Sequence, residues 1–241
     1  MIAILDVEVR KLRGSLAILL AIAAPALPGL LVTLSLLTND RTSGWASIFN
    51  EFLLPIWTLF LLPMIVAAFT TLVGQIEHRG RGWDHLLALP IRRWQVFLAK
   101  AIVVLVTSAC ITLLAVLFTW IGALIGGELG GHVPVGKIPW QGLTRTILLL
   151  WSGTSLMIVL QLWSALRFAS FVVPLSVGIA GTLVALAVAM TRTQQAAWFP
   201  WVLPMKIVTS EDPVPFALVG GVGGLVLLTA MVVDLTRHEF R

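Results

Sequence analysis

Residues 96–126 read VFLAKAIVVLVTSACITLLAVLFTWIGALIG, and Lys100 is the only charged side chain in this stretch. About 20 mostly apolar residues in a helix cross the hydrocarbon core of a bilayer, so this stretch is long enough to do so. Similar apolar stretches occur elsewhere in the chain, and the sequence predicts six transmembrane helices in all. The predicted spans are Ser15–Leu37, Phe52–Ile76, Val96–Gly126, Leu143–Leu166, Phe168–Met190 and Pro215–Leu235.

The composition supports a membrane protein. The chain is 59% hydrophobic and 11% charged, whereas a water-soluble domain carries about 25% charged residues. The net charge of +5 does not favour a nucleic-acid-binding protein, because basic residues in membrane proteins mostly mark cytoplasmic loops. The expected fold is an all-α integral membrane protein, with residues 1–241 forming a single transmembrane domain. Cys110 is the only cysteine, which excludes an internal disulfide framework.

The distribution of basic residues predicts an orientation. The segments on one side of the six spans carry 11 Lys and Arg, and those on the other side carry 5. The positive-inside rule then places both termini and the loop between the second and third spans in the cytoplasm. The first span is expected to be retained rather than cleaved as a signal peptide, because its apolar run is long and Asp6 and Glu8 precede it.

The amino terminus has its own pattern. Ile2, Leu5, Val9 and Leu12 recur at helical spacing, and most of the charged residues lie between them. This pattern predicts an amphipathic helix on the inner membrane surface, ahead of the first span.

The densest charge cluster lies in residues 77–94, EHRGRGWDHLLALPIRRW. Trp83, Leu86, Leu87 and Pro90 fall at positions i, i+3, i+4 and i+7, which is one face of a short helix that Pro90 should end. A helix this short is not stable alone in water, so another surface must cover its apolar face. That surface is either lipid headgroups and the ends of the chain's own spans, or a cytoplasmic partner protein.

Residues 196–206, AAWFPWVLPMK, are rich in Trp and Pro and lie on the predicted outer side. Trp side chains suit a membrane interface, and the two prolines interrupt a long helix. Two placements are open, one on the membrane surface and one dipping into the membrane, and the surface placement is favoured.

Enzyme motifs are not supported. Gly131–Ile138, GHVPVGKI, falls short of the phosphate loop G-x-x-x-x-G-K-[ST] at Ile138. The serines of SGTS, residues 152–155, lie in a span, and no span contains a histidine to act as their base. The histidines have no metal-ligand spacing. The chain is therefore expected to hold no cofactor, no metal and no catalytic site.

Three segments resemble the permease subunits of type-2 ATP-binding-cassette (ABC) exporters, especially the small permeases of lantibiotic and bacitracin self-immunity transporters. EVRKLRGS, residues 8–15, resembles the family's E-x-x-K lead-in to the first span. Residues 77–100 resemble its E…G-x-x…L-x-x-L-P-x-x-R…K loop, and WFPWVLP, residues 198–204, resembles the segment before the last span. Trp83 departs from the pattern, because many relatives carry Thr there.

The resemblance implies that the loop contains a coupling helix that docks on a separate ABC ATPase, which would bind ATP and Mg. It also implies a second permease chain, identical or related, and a location in the bacterial inner membrane. The positions that match the family motif are Glu77, Gly82, Leu86, Leu89, Pro90, Arg93 and Lys100. The expected ATPase interface adds their neighbours Arg79, Trp83, Asp84 and Leu87.

Two functions from different classes remain open. The first is a transporter subunit that exports an amphipathic or lipidic compound, such as an antimicrobial peptide, because the predicted outer loops are short and the spans apolar. The second is a membrane scaffold or sensor that recruits a cytoplasmic protein without transport. An ATPase whose activity depends on this chain would distinguish them.

Overall fold

A computed structural model describes residues 1–38, 43–78, 92–191 and 195–238. These residues form helices, and the only strand-like pairing among them is an isolated bridge between Gly44 and Val135. The helices are α1 (Ile2–Leu12), α2 (Leu16–Ala23), α3 (Ala26–Thr38), α4 (Trp45–His78), α5 (Arg93–Gly130), α6 (Trp140–Arg167), α7 (Val172–Thr191), α8 (Leu203–Thr209) and α9 (Val214–Arg237).

The six predicted spans are confirmed. Among the described residues, six helical stretches are long and apolar enough to cross a membrane, which makes the chain a multi-pass membrane protein. They are α2 with α3, then α4, α5, α6, α7 and α9. The largest difference from the sequence prediction is in the second span, which begins at Trp45 rather than Phe52.

The first two spans are irregular helices. The first breaks between Ala23 and Ala26, where Pro25 has no N–H for a helical hydrogen bond. The second has π-helical turns over Ile48–Leu53 and Trp57–Leu61, on either side of Pro55. Proline and π-turns are the usual causes of bends in long helices.

Small residues bring pairs of spans into backbone contact. A Cβ atom added to Gly122 of α5 would lie 2.2 Å from the carbonyl oxygen of Gly29 in α3. One added to Gly220 of α9 would lie 2.1 Å from the carbonyl oxygen of Gly153 in α6. Since lipid gives no hydrophobic drive between helices, such close backbone packing is a main source of their association.

Short connections make consecutive spans antiparallel, which defines two ends of the bundle. The carboxyl end of α4, the amino end of α5 and the turn between α6 and α7 lie at one end, called here the loop end. The turn between α5 and α6 and the start of α9 lie at the other, called the far end. The segment 79–91 connects α4 to α5 at the loop end and lies outside the described residues.

The Trp- and Pro-rich segment is partly buried in the protein. Trp198 is 68% exposed, whereas Trp201 is 4% exposed and stacks against Phe199 at a centroid distance of 5.4 Å. The following helix, α8, packs against α4, α6 and α9. The favoured surface placement therefore fits Trp198 but not Trp201, because the spans form a pocket that the second half of the segment fills.

Candidate functional site: a buried cluster of four charges

Two acidic and two basic side chains meet at the loop end of the bundle. Glu8 and Lys11 come from α1, Glu77 is the second-last residue of α4, and Lys100 lies in the first turns of α5. Lys11 Nζ donates hydrogen bonds to Glu8 Oε1 at 3.0 Å and to Glu77 Oε1 at 2.8 Å. Lys100 Nζ donates to Glu77 Oε1 at 2.9 Å and also to Glu8 Oε2. These four residues are called the charge cluster below.

The cluster alternates in sign around a closed ring. Each carboxylate accepts hydrogen bonds from both ammonium groups, and each ammonium group donates to both carboxylates. The four formal charges cancel. A buried carboxylate or ammonium is tolerated only when it is paired and hydrogen-bonded, and the ring meets that condition for all four groups.

Three members of the cluster are almost fully enclosed. Glu8 is 4% exposed, and Glu77 and Lys100 are each 2% exposed, whereas Lys11 is 25% exposed. Removal of one partner from a buried ion pair typically costs about 3–5 kcal/mol, since the other charge stays buried without compensation. The arrangement therefore strongly specifies how α1, α4 and α5 sit against one another.

The geometry of α1 explains how an acid reaches this position. Leu12 is buried and Leu5 packs against the core, whereas Ile2 and Val9 are 85% and 41% exposed. Glu8 lies between Leu5 and Leu12 at helical spacing, so it shares their inward face. The predicted helix is present over Ile2–Leu12. Two of its four apolar positions, Leu5 and Leu12, pack inside the chain, and its placement on the membrane surface stays a prediction.

The predicted interface residues fall into three groups. Glu77 and Lys100 face inward and pair within the chain. Arg93 is exposed at the first position of α5. The others lie outside the described residues, and their docking role stays a prediction: Arg79, Gly82, Trp83, Asp84, Leu86, Leu87, Leu89 and Pro90.

Glu8 and Lys11 belong to the cluster but were not among the predicted site residues. The sequence carried a signal for them. Glu8 borders the apolar positions of a helix, and Lys100 is alone in a long apolar run, so Lys100 in particular was expected to need a buried partner of opposite sign. The sequence did not show that the two would meet, because 92 residues separate them.

Further hydrogen bonds fix the end of α4. Gln75 Nε2 donates to the carbonyl oxygen of Ala169 at 3.0 Å, and His78 Nε2 lies 3.2 Å from the carbonyl oxygen of Ala165. Both contacts reach the end of α6 or the turn that follows it. The point at which the chain leaves α4 is thus held from two sides.

A second polar group ties the last span to the fourth. The indole of Trp163 donates to Asp234 Oδ2 at 2.8 Å, and Arg167 Nε lies 3.6 Å from the same oxygen. Arg167 Nη1 lies 3.0 Å from His238 Nε2. Arg167 and Asp234 are 39% and 38% exposed. This polar group is therefore more exposed than the charge cluster and constrains the packing of its helices less.

An apolar groove of about 370 Å³ lies between α5, α6 and α9. The hydroxyls of Ser152 and Ser155 line it, but they donate to the carbonyl oxygens of Ala217 and Gly220 at 2.9 and 2.8 Å. The remaining lining is mostly hydrocarbon, including the side chains of Leu105, Trp151 and Leu225. The groove is suited to alkyl groups rather than to polar ligands.

A metal centre is not supported in the part of the chain that the structure describes. No group of three or more His, Cys, Asp or Glu side chains is placed to hold a metal ion there. The charge cluster itself provides two carboxylates, but two ammonium groups already neutralise them.

The chain matches a known protein family. The family model described as "ABC-2 family transporter protein" matches residues 4–185, which is more than half of the chain. The match includes all four residues of the charge cluster and extends into α7. No curated protein and no solved structure is significantly similar to the chain.

Proposed function

The chain belongs to the ABC-2 transporter family and is a permease subunit of an ABC transporter, and we propose that a separate ATPase drives it to export an amphipathic or lipidic compound. The observation that carries this proposal is the charge cluster. It joins α4 to α5, the two helices that flank the charged 79–91 segment, which supports a role for that segment as a docking loop for a motor. The described residues on either side of the segment are His78, the last residue of α4, and Arg92, which directly precedes α5.

The mechanism is mechanical. Closure of two ATPase subunits moves the loops that are docked on them, and rigid helices carry that movement across the membrane. Glu77 and Lys100 are joined at 2.9 Å across the base of the loop, so α4 and α5 move together. As buried residues they act through the position of the loop, and the exposed Arg93 and the residues of the loop itself form the contact surface.

The chain is not the source of the energy. The segment nearest to a phosphate loop, Gly131–Ile138, lacks the required Ser or Thr and follows a helix rather than a strand. We therefore assign ATP and Mg to the partner ATPase, and we assign a second permease chain, identical or related, to the other half of the transporter. The bacterial inner membrane is the proposed location, with both termini in the cytoplasm.

The apolar groove supports the proposed class of substrate. Several residues that line it, including Trp151, Leu218 and Leu225, are exposed on the single chain, and its two hydroxyls are already engaged within the chain. A compound with alkyl or aromatic groups can enter such a groove from the bilayer without desolvating polar atoms. An antimicrobial peptide and a lipid both meet this description.

The proposal is tested by isolating the chain from its native membranes with its partners and reconstituting the complex in liposomes. Two probes are used, a fluorescent cationic antimicrobial peptide and a fluorescent phosphatidylethanolamine. We expect an ATPase to copurify, its hydrolysis to depend on this chain, and at least one probe to move when ATP is added. A partner protein without ATP hydrolysis would support the scaffold or sensor function instead.

A further inference from the structure

The last span, α9, carries an exposed, mostly apolar stripe that ends at an arginine. Its members recur every three or four residues, which is the spacing of one face of a helix. They are Leu218, Val222, Val226, Thr229, Val233 and Arg237. The four aliphatic side chains are exposed, and the hydroxyl of Thr229 donates to the carbonyl oxygen of Val226 at 2.7 Å. This surface, called the α9 stripe below, is therefore suited to contact with hydrocarbon.

The α9 stripe extends from the apolar groove to the loop end. Leu218, Val222 and Leu225 line the groove between α5, α6 and α9. Residues 225–237 cover about 18 Å along the helix at 1.5 Å per residue, and half of the hydrocarbon core of a bilayer is about 15 Å thick. The stripe from the groove to Arg237 is thus as long as one leaflet is deep.

Two arginines lie where the stripe ends. Arg167 is the last residue of α6 and Arg237 is the last residue of α9. Arg167 contacts Asp234 and His238, which uses two of the five N–H donors of its guanidinium. Two arginines and one aspartate give this patch a formal charge of +1, with His238 neutral.

Recesses lie on both sides of Asp234. One of about 340 Å³ lies between α6 and α9, and its lining includes Trp163, Arg167 and Phe168. The other, of about 610 Å³, follows α9 from Val226 to Arg237. Each recess thus combines an arginine with apolar side chains, and the two meet at one carboxylate.

We propose that this end of the α6–α9 face binds an anionic phospholipid from the leaflet at the loop end. Its phosphate contacts Arg167 and Arg237, because guanidinium N–H groups match phosphate oxygens in charge and geometry. Its acyl chains follow the α9 stripe towards the groove, and the indole of Trp163 lies at headgroup level, where Trp is favoured. The inference goes beyond the proposed function, because it concerns binding and does not depend on export of that lipid.

The features of the face favour a lipid over the other candidate occupants. A soluble phosphate would satisfy the arginines but leave the α9 stripe uncovered. A second copy of the chain would cover the stripe, but both copies have the same orientation in the membrane. Their positive patches would then meet at the same depth, and like charges placed against each other disfavour association.

Two variants remove the headgroup contacts. Arg237→Gln changes one exposed residue and leaves the pair of Arg167 with Asp234 in place, and Arg167→Gln with Arg237→Gln removes both cations. A basic residue near an anionic lipid surface contributes about fivefold in affinity, so we expect losses of about fivefold and about 25-fold. Arg145→Gln is the matched control, because Arg145 is an exposed arginine of the same helix, α6, near the far end.

The measurement is native mass spectrometry of the full chain, purified in a neutral detergent and titrated with phosphatidylglycerol. Phosphatidylcholine with the same acyl chains tests the need for net negative charge, and glycerol 1-phosphate tests the need for hydrocarbon. We expect the wild type and Arg145→Gln to prefer phosphatidylglycerol and glycerol 1-phosphate not to displace it. Should the double variant not accumulate in membranes, Arg237→Gln alone provides the test.

Four results would overturn the inference. Equal affinity of the wild type for the two lipids, or an equal loss in Arg145→Gln, would exclude a specific headgroup site. Displacement by glycerol 1-phosphate would assign the arginines to a soluble anion. A disulfide between two chains in membranes that carry Val222→Cys, in a Cys110→Ser background because Cys110 is exposed, would show that a second copy covers the stripe. Each of these results leaves the proposed function intact, since that function is tested by copurification of an ATPase.

Discussion

Lys100 and Glu77 are hydrogen-bonded at 2.9 Å although 23 positions separate them in the chain. The intervening residues include the whole 79–91 segment. The pair therefore closes the base of this segment, and the two carboxylates and two ammonium groups of the cluster extend that closure to α1. If the segment docks on an ATPase as proposed, we expect this pairing of α4 with α5 to pass a displacement to the spans.

Lys100→Met is expected to destabilise the protein strongly. It leaves Glu8 and Glu77 with Lys11 as their shared cation, and an uncompensated buried charge costs about 3–5 kcal/mol. The thermal unfolding midpoint in detergent should fall well below that of Arg10→Gln, which affects an exposed pair worth at most about 1 kcal/mol. Addition of Glu8→Gln to Lys100→Met restores neutrality and should recover part of the loss. No recovery would mean that the cluster is not a coupled electrostatic unit.

Gly122→Ala is expected to separate the first and third spans. The added methyl group would lie 2.2 Å from the backbone oxygen of Gly29, which cannot rotate away. Gly142→Ala is the matched control, since a Cβ there meets nothing within 4 Å and alanine is the better helix former by about 1 kcal/mol. Unfolding midpoints in detergent should therefore shift in opposite directions. A neutral Gly122→Ala would contradict the close contact between these spans.

Much of this fold follows from the sequence because bilayer thickness fixes the length of a span. The helix break at Pro25 and the π-helical turns around Pro55 were not predicted, because an apolar pattern indicates hydrophobicity and not the regularity of the helix. Trp201 was predicted to lie at the membrane surface because indoles favour interfaces, but it is buried in a pocket between the neighbouring spans. The partner of Lys100 was equally hidden, because only the packing of α1 brings Glu8 to it.

The orientation prediction can be tested by cysteine labelling in sealed cells, again in the Cys110→Ser background. Lys137 is exposed between α5 and α6 at the far end, and Arg92 is exposed at the loop end. We expect a membrane-impermeant maleimide to modify Lys137→Cys and to reach Arg92→Cys only after the cells are opened. The reverse pattern would invert the topology and place the loop out of reach of a cytoplasmic ATPase.

Trp83→Ala is expected to weaken binding of the ATPase. Trp83 lies outside the described residues, and its role as a buried aromatic anchor is the prediction under test. Truncation of such an anchor commonly costs about 2 kcal/mol or more, which is roughly thirtyfold in affinity at 1.4 kcal/mol per tenfold. Affinity is measured by titrating the ATPase onto the chain in nanodiscs. The control is Trp198→Ala, an exposed indole beyond the far end of α7.

Glu77→Gln should give a different result from Trp83→Ala, because Glu77 is buried within the chain rather than exposed to a partner. The change keeps the shape of the side chain but leaves Lys11 and Lys100 with Glu8 as their only carboxylate, so the base of the loop loosens while the docking surface stays intact. We expect near-wild-type affinity for the ATPase, but less transport of the peptide or lipid probe for each ATP hydrolysed. Both quantities are measured on the same liposomes. A thirtyfold loss of affinity with unchanged coupling would place Glu77 in the contact surface and contradict its assignment to the frame that holds the loop.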